Sequence, residues 1–238
     1  MRTCLLILLS MLFATNVYAK ALHFASIKDL AEQEVGAIVL PEIYRRIGIE
    51  ISITPYPAKR AQGLTANGKT DGEIMRIYSY GLETPSVVRI PTSYSTLDTT
   101  AYVQKNSGIS IKNRDDLKKY RIVKVRGVKH TENITSGLKN VHNLESPEQM
   151  MTYLKAGRAD VALTNSMNGR KALTKLQYMD EIIPAGPALN QEKLYNYLHI
   201  RHRFLVPKVD SVIKAMKASG ELKRLNKDAI KTVLESVY

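Results

Sequence analysis

Tryptophan is absent from this 238-residue chain, phenylalanine occurs three times, and there is one cysteine, Cys4. Without Trp and with few Phe there is no aromatic platform for stacking bases, and the basic residues are spread over both halves rather than gathered on a recognition helix. Nucleic-acid binding is therefore not expected. Cys4 falls within the N-terminal segment that reads as an export signal, and with no cysteine left after its cleavage neither a disulfide framework nor a thiolate metal site is possible. Acidic residues are also scarce, 22 Asp plus Glu against 35 Lys plus Arg, for a net charge of +13. Such a balance favours anionic partners, or serves solubility alone. No apolar run reaches the ~20 residues of a membrane-spanning helix. Hydrophobic residues at 44% and charged residues at 24% support a packed core and exclude wholesale disorder, collagen and coiled coil.

The first nineteen residues read as an export signal: a basic start at Arg2, an apolar run from Leu5 to Ala14, and Val17-Tyr18-Ala19 before a cleavage point. Cys4 precedes most of that run instead of following it, which does not suit a lipid anchor. Cleavage near Ala19 leaves a soluble periplasmic chain of 219 residues and a charge of +12. That length fits one large domain or two interlocked lobes.

His23 to Ser26 is a short strand candidate, and Val35, Ile38, Val39, Ile43 and Ile47 make a helical stripe ended by Gly48. Ile49, Ile51 and Ile53 alternate as a strand that Pro55-Tyr56-Pro57 stops before a helix near Ala58. Asn67-Gly68 is a turn, and 71–75 another strand. This strand–helix rhythm predicts an α/β sheet with parallel pairing. A second unit begins after Tyr102-Val103, with a strand over 121–125, a turn at Arg126-Gly127, a helix over 147–156 and a strand over 159–163. An extended segment over 194–200 and one amphipathic helix over 209–225 complete the chain.

Several segments, in order, carry a resemblance: Pro57-Ala58-Lys59-Arg60-Ala61, Asn67 to Gly72, Arg76, Val87 to Pro91, Asp116-Leu117, Val125-Arg126-Gly127, Ala156 to Val161, and Met216 to Glu221. Together they resemble the periplasmic solute-binding proteins of the amino-acid-binding type (family 3), the substrate-binding components of ABC transporters. The resemblance implies an α/β, two-lobed periplasmic-binding-protein fold of type II with two crossover hinge strands. It places lobe 1 at 20–98 plus 195–238 and lobe 2 at 99–194. It also implies a monomer that takes a small-molecule solute, with a membrane permease as partner and no cofactor.

Ligands of open α/β sheets bind outside the carboxyl ends of strands, so candidate ligand-binding residues follow the expected strands. In lobe 1 these are Tyr56, Arg60, Glu73 and Arg76, with Arg76 as a planar fork for a carboxylate or phosphate. In lobe 2 they are Arg126, Lys129 and Thr131, near the unpaired amides of a helix start, and Asn165 within the polar group Thr164-Asn165-Ser166. Lys112, Arg114, Lys118, Lys119, Arg121 and Lys124 read as one solvated basic face. Two positions depart from the family. Thr84 stands at the place of the arginine that clamps an amino acid's carboxylate. Asn165 stands near that of the aspartate that receives its ammonium group, which an amide cannot neutralise. The expected solute is therefore small and polar or anionic.

No Gly-x-Ser-x-Gly, P-loop or His-Glu-x-x-His motif is present, and His199-x-x-His202 has poor spacing for a metal. Binding is expected over catalysis. The alternatives are a lyase resembling cyclohexadienyl dehydratases, with Glu73 or, less well placed, Glu132 as the acid, and a sensor that feeds a membrane receptor.

Overall fold

The structure is a computed structural model that describes residues 21–236; the expected export signal lies outside the described residues. The first half of the chain runs β1 (Leu22–Ile27), α1 (Ala31–Arg45), β2 (Ile51–Tyr56), α2 (Ala58–Ala66), β3 (Gly72–Arg76), α3 (Tyr78–Glu83) and β4 (Val87–Arg89). β1 pairs in parallel with both β2 and β3. The next stretch runs β5 (Ser95–Gln104), β6 (Ile122–Val125), α4 (Lys129–Thr135), β7 (Val141–Leu144), α5 (Pro147–Lys155), β8 (Val161–Thr164), α6 (Ser166–Leu176), β9 (Ile182–Pro184) and β10 (Asn190–His199). Here β6 pairs in parallel with β7 and β8. Two helices, α7 (Val206–Ala218) and α8 (Glu221–Glu235), end the described chain.

β5 and β10 are the long strands, ten residues each, and they pair antiparallel from Asn190 opposite Thr99 to Leu194 opposite Ser95. Beyond that pairing β10 continues against β3 and β4, while β5 continues against β8 and β9. The order β2-β1-β3-β10-β5-β8-β6-β7 therefore joins two α/β halves through two crossover strands. Val123 and Val125 pack into one apolar cluster with Met150, Met151 and Leu154, while Ile122 packs into another with Val161 and Leu163. Parallel strands covered on both faces read as continuous apolar runs, which is why β6 and β8 were legible in the sequence.

Gly72 starts β3 where β10 crosses it. A Cβ at this position would collide with the Tyr197 carbonyl oxygen and lie 2.7 Å from Phe24 Cε1. Because backbone yields poorly, Gly72→Ala is expected to cost about 2–3 kcal/mol, read as a lower urea midpoint at unchanged slope.

Four expectations are corrected. The single helix over 209–225 is two helices, broken at Gly220, whose φ of 75° is left-handed and favours glycine. The apolar stripe survives the break because Val209, Ile213, Met216 and Leu222 all enter one core. The first helix begins at Ala31, four residues before Val35, and this brings Glu32 into its first turn. The strand expected at Tyr102-Val103 ahead of the second unit is ten residues long, Ser95–Gln104, and crosses between the two halves. Lys124 belongs to no solvated face: it lies inside β6, buried, and desolvation lowers its pKa. Among the described residues no helix is long and apolar enough to cross a membrane.

Candidate functional site

The two halves meet where the first turn of α1 faces the first turn of α6. Asn165 caps α6, its side-chain oxygen accepting from the Asn168 backbone N–H at 2.8 Å. Its Nδ2 donates to Glu32 Oε2 at 2.9 Å, and Asn168 Nδ2 donates to the same oxygen at 2.8 Å. The Ala31 N–H in turn donates to Asn168 Oδ1 at 2.6 Å. An asparagine suits position 165 because it supplies both the cap acceptor and a donor to a carboxylate; an ionised aspartate has no donor. Glu32 is 4% exposed, and burial holds its carboxyl above the usual carboxylate range against the pull of the two amides.

Further contacts close the seam. Lys129 pairs with Glu83 across it and with Glu132 at 3.2 Å on its own helix, and Asn133 Nδ2 donates to Ser79 Oγ at 3.1 Å. Gly127, at φ 75°, lets the turn before α4 lie against α2: a Cβ there would stand 2.9 Å from Ala58 Cβ. Two of the cavities along the seam border Glu32. The smaller, about 20 Å³, holds Glu32, Gln33, Arg76, Lys129 and His130 against apolar neighbours that include Leu97. The larger, about 580 Å³, adjoins it through Glu32 and Leu97 and also meets Asp98, Asn165, Ser166 and Glu192.

Of the residues expected from sequence, Arg76 and Lys129 line the smaller cavity and Asn165 the larger. Arg76 is not a free fork. Its Nε donates to Glu73, its Nη2 to the Ala58 carbonyl at 3.3 Å, and its guanidinium lies 4.8 Å from the Tyr80 ring. Glu73 lines neither cavity; Arg76 and the Tyr80 hydroxyl, at 2.6 Å, hold it inside β3, so its role as a cleft acid loses its geometric basis. Tyr56 and Arg60 stack on each other at 5.6 Å, with Arg60 exposed, and line neither cavity. Arg126 is exposed and pairs with Glu145 at 3.0 Å. Thr131 is buried and donates to the Val128 carbonyl at 2.9 Å, serving the start of α4. Glu132 is tied to Lys129 and Lys59. His202 pairs with Asp71, and among the described residues no His, Cys, Asp and Glu group of three is placed to hold a metal.

Sequence reasoning missed two residues. Glu32 meets partners more than 130 positions away, which no local pattern signals. His130 stands between the candidates Lys129 and Thr131, and nothing in its neighbours marks it. It is 2% exposed, with Nδ1 hydrogen-bonded to Thr99 Oγ1 at 2.8 Å and Nε2 buried without a partner among the described residues. Desolvation pushes its pKa down to about 4, so the ring is neutral.

No family model matches the chain. An uncharacterized protein of Shewanella oneidensis is 29% identical over 195 residues, 77% of this chain and 71% of that protein. Among solved structures, the P235GK mutant of ArgBP from T. maritima aligns with a TM-score of 0.74 at 18% identity, covering 89% of this chain and 95% of that one. A histidine kinase sensor domain with similarity to periplasmic binding proteins also aligns at 0.74, with 12% identity, over 88% and 95% of the two chains. AbpA from Streptococcus pneumoniae, an amino acid ABC transporter substrate-binding protein bound to L-arginine, aligns at 0.70 with 17% identity over 90% and 96%. With two α/β halves on paired crossover strands, the chain has the two-lobed periplasmic-binding-protein fold of type II.

Proposed function

We propose that this chain is an exported, monomeric solute-binding protein whose lobes, 20–98 with 195–238 and 99–194, close on a small polar, amino-acid-like solute and present it to a membrane transporter. The observation that carries this reading is the polar seam: Glu32, Asn165, Asn168, Lys129 and Asn133 make hydrogen bonds or ion pairs where a permanent core would bury apolar groups. Contacts of this kind can be exchanged with water when lobes swing apart, and the smaller cavity, at about 20 Å³, requires such opening to admit a solute. Thermal-shift measurements on the mature chain with amino acids and organic acids test it. A solute at ~100 times its Kd adds about 2.7 kcal/mol of stability. No stabilisation by any of them would reject the reading.

The likeness to a kinase sensor domain favours a second reading, in which the same capture feeds a receptor. Uptake of the identified solute separates the two, since it falls in a deletion strain only where the chain serves transport.

A further inference from the structure

The charges of the seam are not balanced alike. Arg76 is neutralised by Glu73, and Lys129 by Glu83 and Glu132. The cations that made an anionic solute attractive are therefore occupied. On the other side, Glu32 receives only amides, both on Oε2, and Oε1 takes no side-chain donor among the described residues. Asp98, next along the larger cavity, receives hydroxyls from Thr100 at 2.5 Å and Ser166 at 2.8 Å and the Ser166 N–H at 3.1 Å. Glu192 receives the Asn190 amide at 3.0 Å. Three carboxylates thus border one 580 Å³ cavity without an ion pair among the described residues, with Lys193 as the cation on its lining, in a chain whose net charge is strongly positive. Of the three only Glu32 is buried, Asp98 and Glu192 being half-buried, and it is for Glu32 that the missing counter-charge matters: a buried carboxylate is ordinarily paired, because leaving it unneutralised costs several kcal/mol.

Independently, His130 lines the smaller cavity, which shares Glu32 with the larger, and its Nε2 is buried without a partner among the described residues. A neutral imidazole held at Nδ1 by Thr99 offers that nitrogen to one polar group of a ligand. These carboxylates form no metal-binding group, so an extended organic cation fits them better than an ion.

We propose that the seam binds an organic cation, a solute of net positive charge carried on an ammonium or guanidinium group. Its charged group sits on Glu32, a polar atom pairs with His130 Nε2, and its body extends along Asp98 and Glu192 in the larger cavity. The inference rests on the solute-binding reading and narrows it to a class of solute.

Calorimetric titration of the mature chain at neutral pH tests it with L-arginine, agmatine and spermidine as cationic probes and L-glutamine and L-glutamate as neutral and anionic ones. The expected result is binding of at least one cationic probe, weakened about 30-fold or more in Glu32→Gln and to a lesser degree in Asp98→Asn and His130→Phe. Circular dichroism checks that each variant folds. Glutamine or glutamate binding without any cation would leave solute capture standing and overturn the cationic class. A cation bound equally well by wild type and Glu32→Gln would do the same. Silence from all five probes would overturn this inference, and silence across the wider thermal-shift panel would remove the solute-binding reading as well.

Discussion

Arg76→Ala is expected to lower the unfolding free energy by about 3–5 kcal/mol, the largest effect of any single substitution considered. The residue is 4% exposed and its partner Glu73 1% exposed, so truncating the guanidinium leaves a carboxylate inside β3 with only the Tyr80 hydroxyl to solvate it. Urea denaturation followed by circular dichroism measures the loss. Replacing both partners by Met and Leu removes the charge together with its counter-charge and is expected to recover most of it, since apolar replacement of a buried pair is often neutral. If Arg76 were instead a free anchor for an anion, Arg76→Ala would fold with near-normal stability, and that outcome would refute the structural assignment.

Acidification acts in part through His130. Burial lowers its pKa from 6.5 to about 4, so between those values the unfolded chain binds a proton that the folded chain refuses. Stability from this group is therefore fully present above pH 6.5 and is lost as pH falls toward 4, about 3 kcal/mol in all. Asp98 pulls the ring toward protonation and Lys124 away from it, while Thr99 holds Nδ1. Glu32 works with the opposite sign: its raised pKa makes the folded chain bind more protons than the unfolded one just above the ordinary carboxylate range, so acid stabilises the fold there. Urea midpoints are therefore best compared from pH 7 to 4 in a Glu32→Gln background. There His130→Gln is expected to flatten the profile, and parallel profiles with and without His130 would show that the buried ring does not titrate as described.

The strands that carry the fold were legible because they are short apolar runs bounded by turn residues. β1, β3, β6 and β8 stand within two residues of where the sequence placed them, while β2 runs past Ile53 through Pro55 to Tyr56, so that Pro55 does not stop it. The break at Gly220 was missed because the apolar period on the two sides of it faces one core and reads as a single stripe. Lys124 was misplaced for the opposite reason: its neighbours Lys118, Lys119 and Arg121 are exposed, and nothing in the local pattern separates a lysine that a strand carries inward.

The candidate site divides in the same way. Placing ligand residues after strands located Arg76, Lys129 and Asn165 at the cavities, because strand ends are a local property of the chain. Which charges are free is not local. Arg76 and Glu73 stand three residues apart and looked like two independent anchors, yet they consume each other. Glu32 faces Asn165 and Asn168, and His130 faces Thr99, across separations no periodicity encodes.

Composition, apolar period and turn chemistry by themselves determined that this chain is an α/β protein with two units. They also marked the strand ends where a ligand would lie, since each follows from residue type and near neighbours. Only the tertiary structure decided which charges at the seam are paired. Net charge sums every residue, whereas packing of distant elements ties Arg76 to Glu73 and Lys129 to Glu83 and Glu132, and leaves Glu32, Asp98 and Glu192 beside the larger cavity without an ion pair among the described residues.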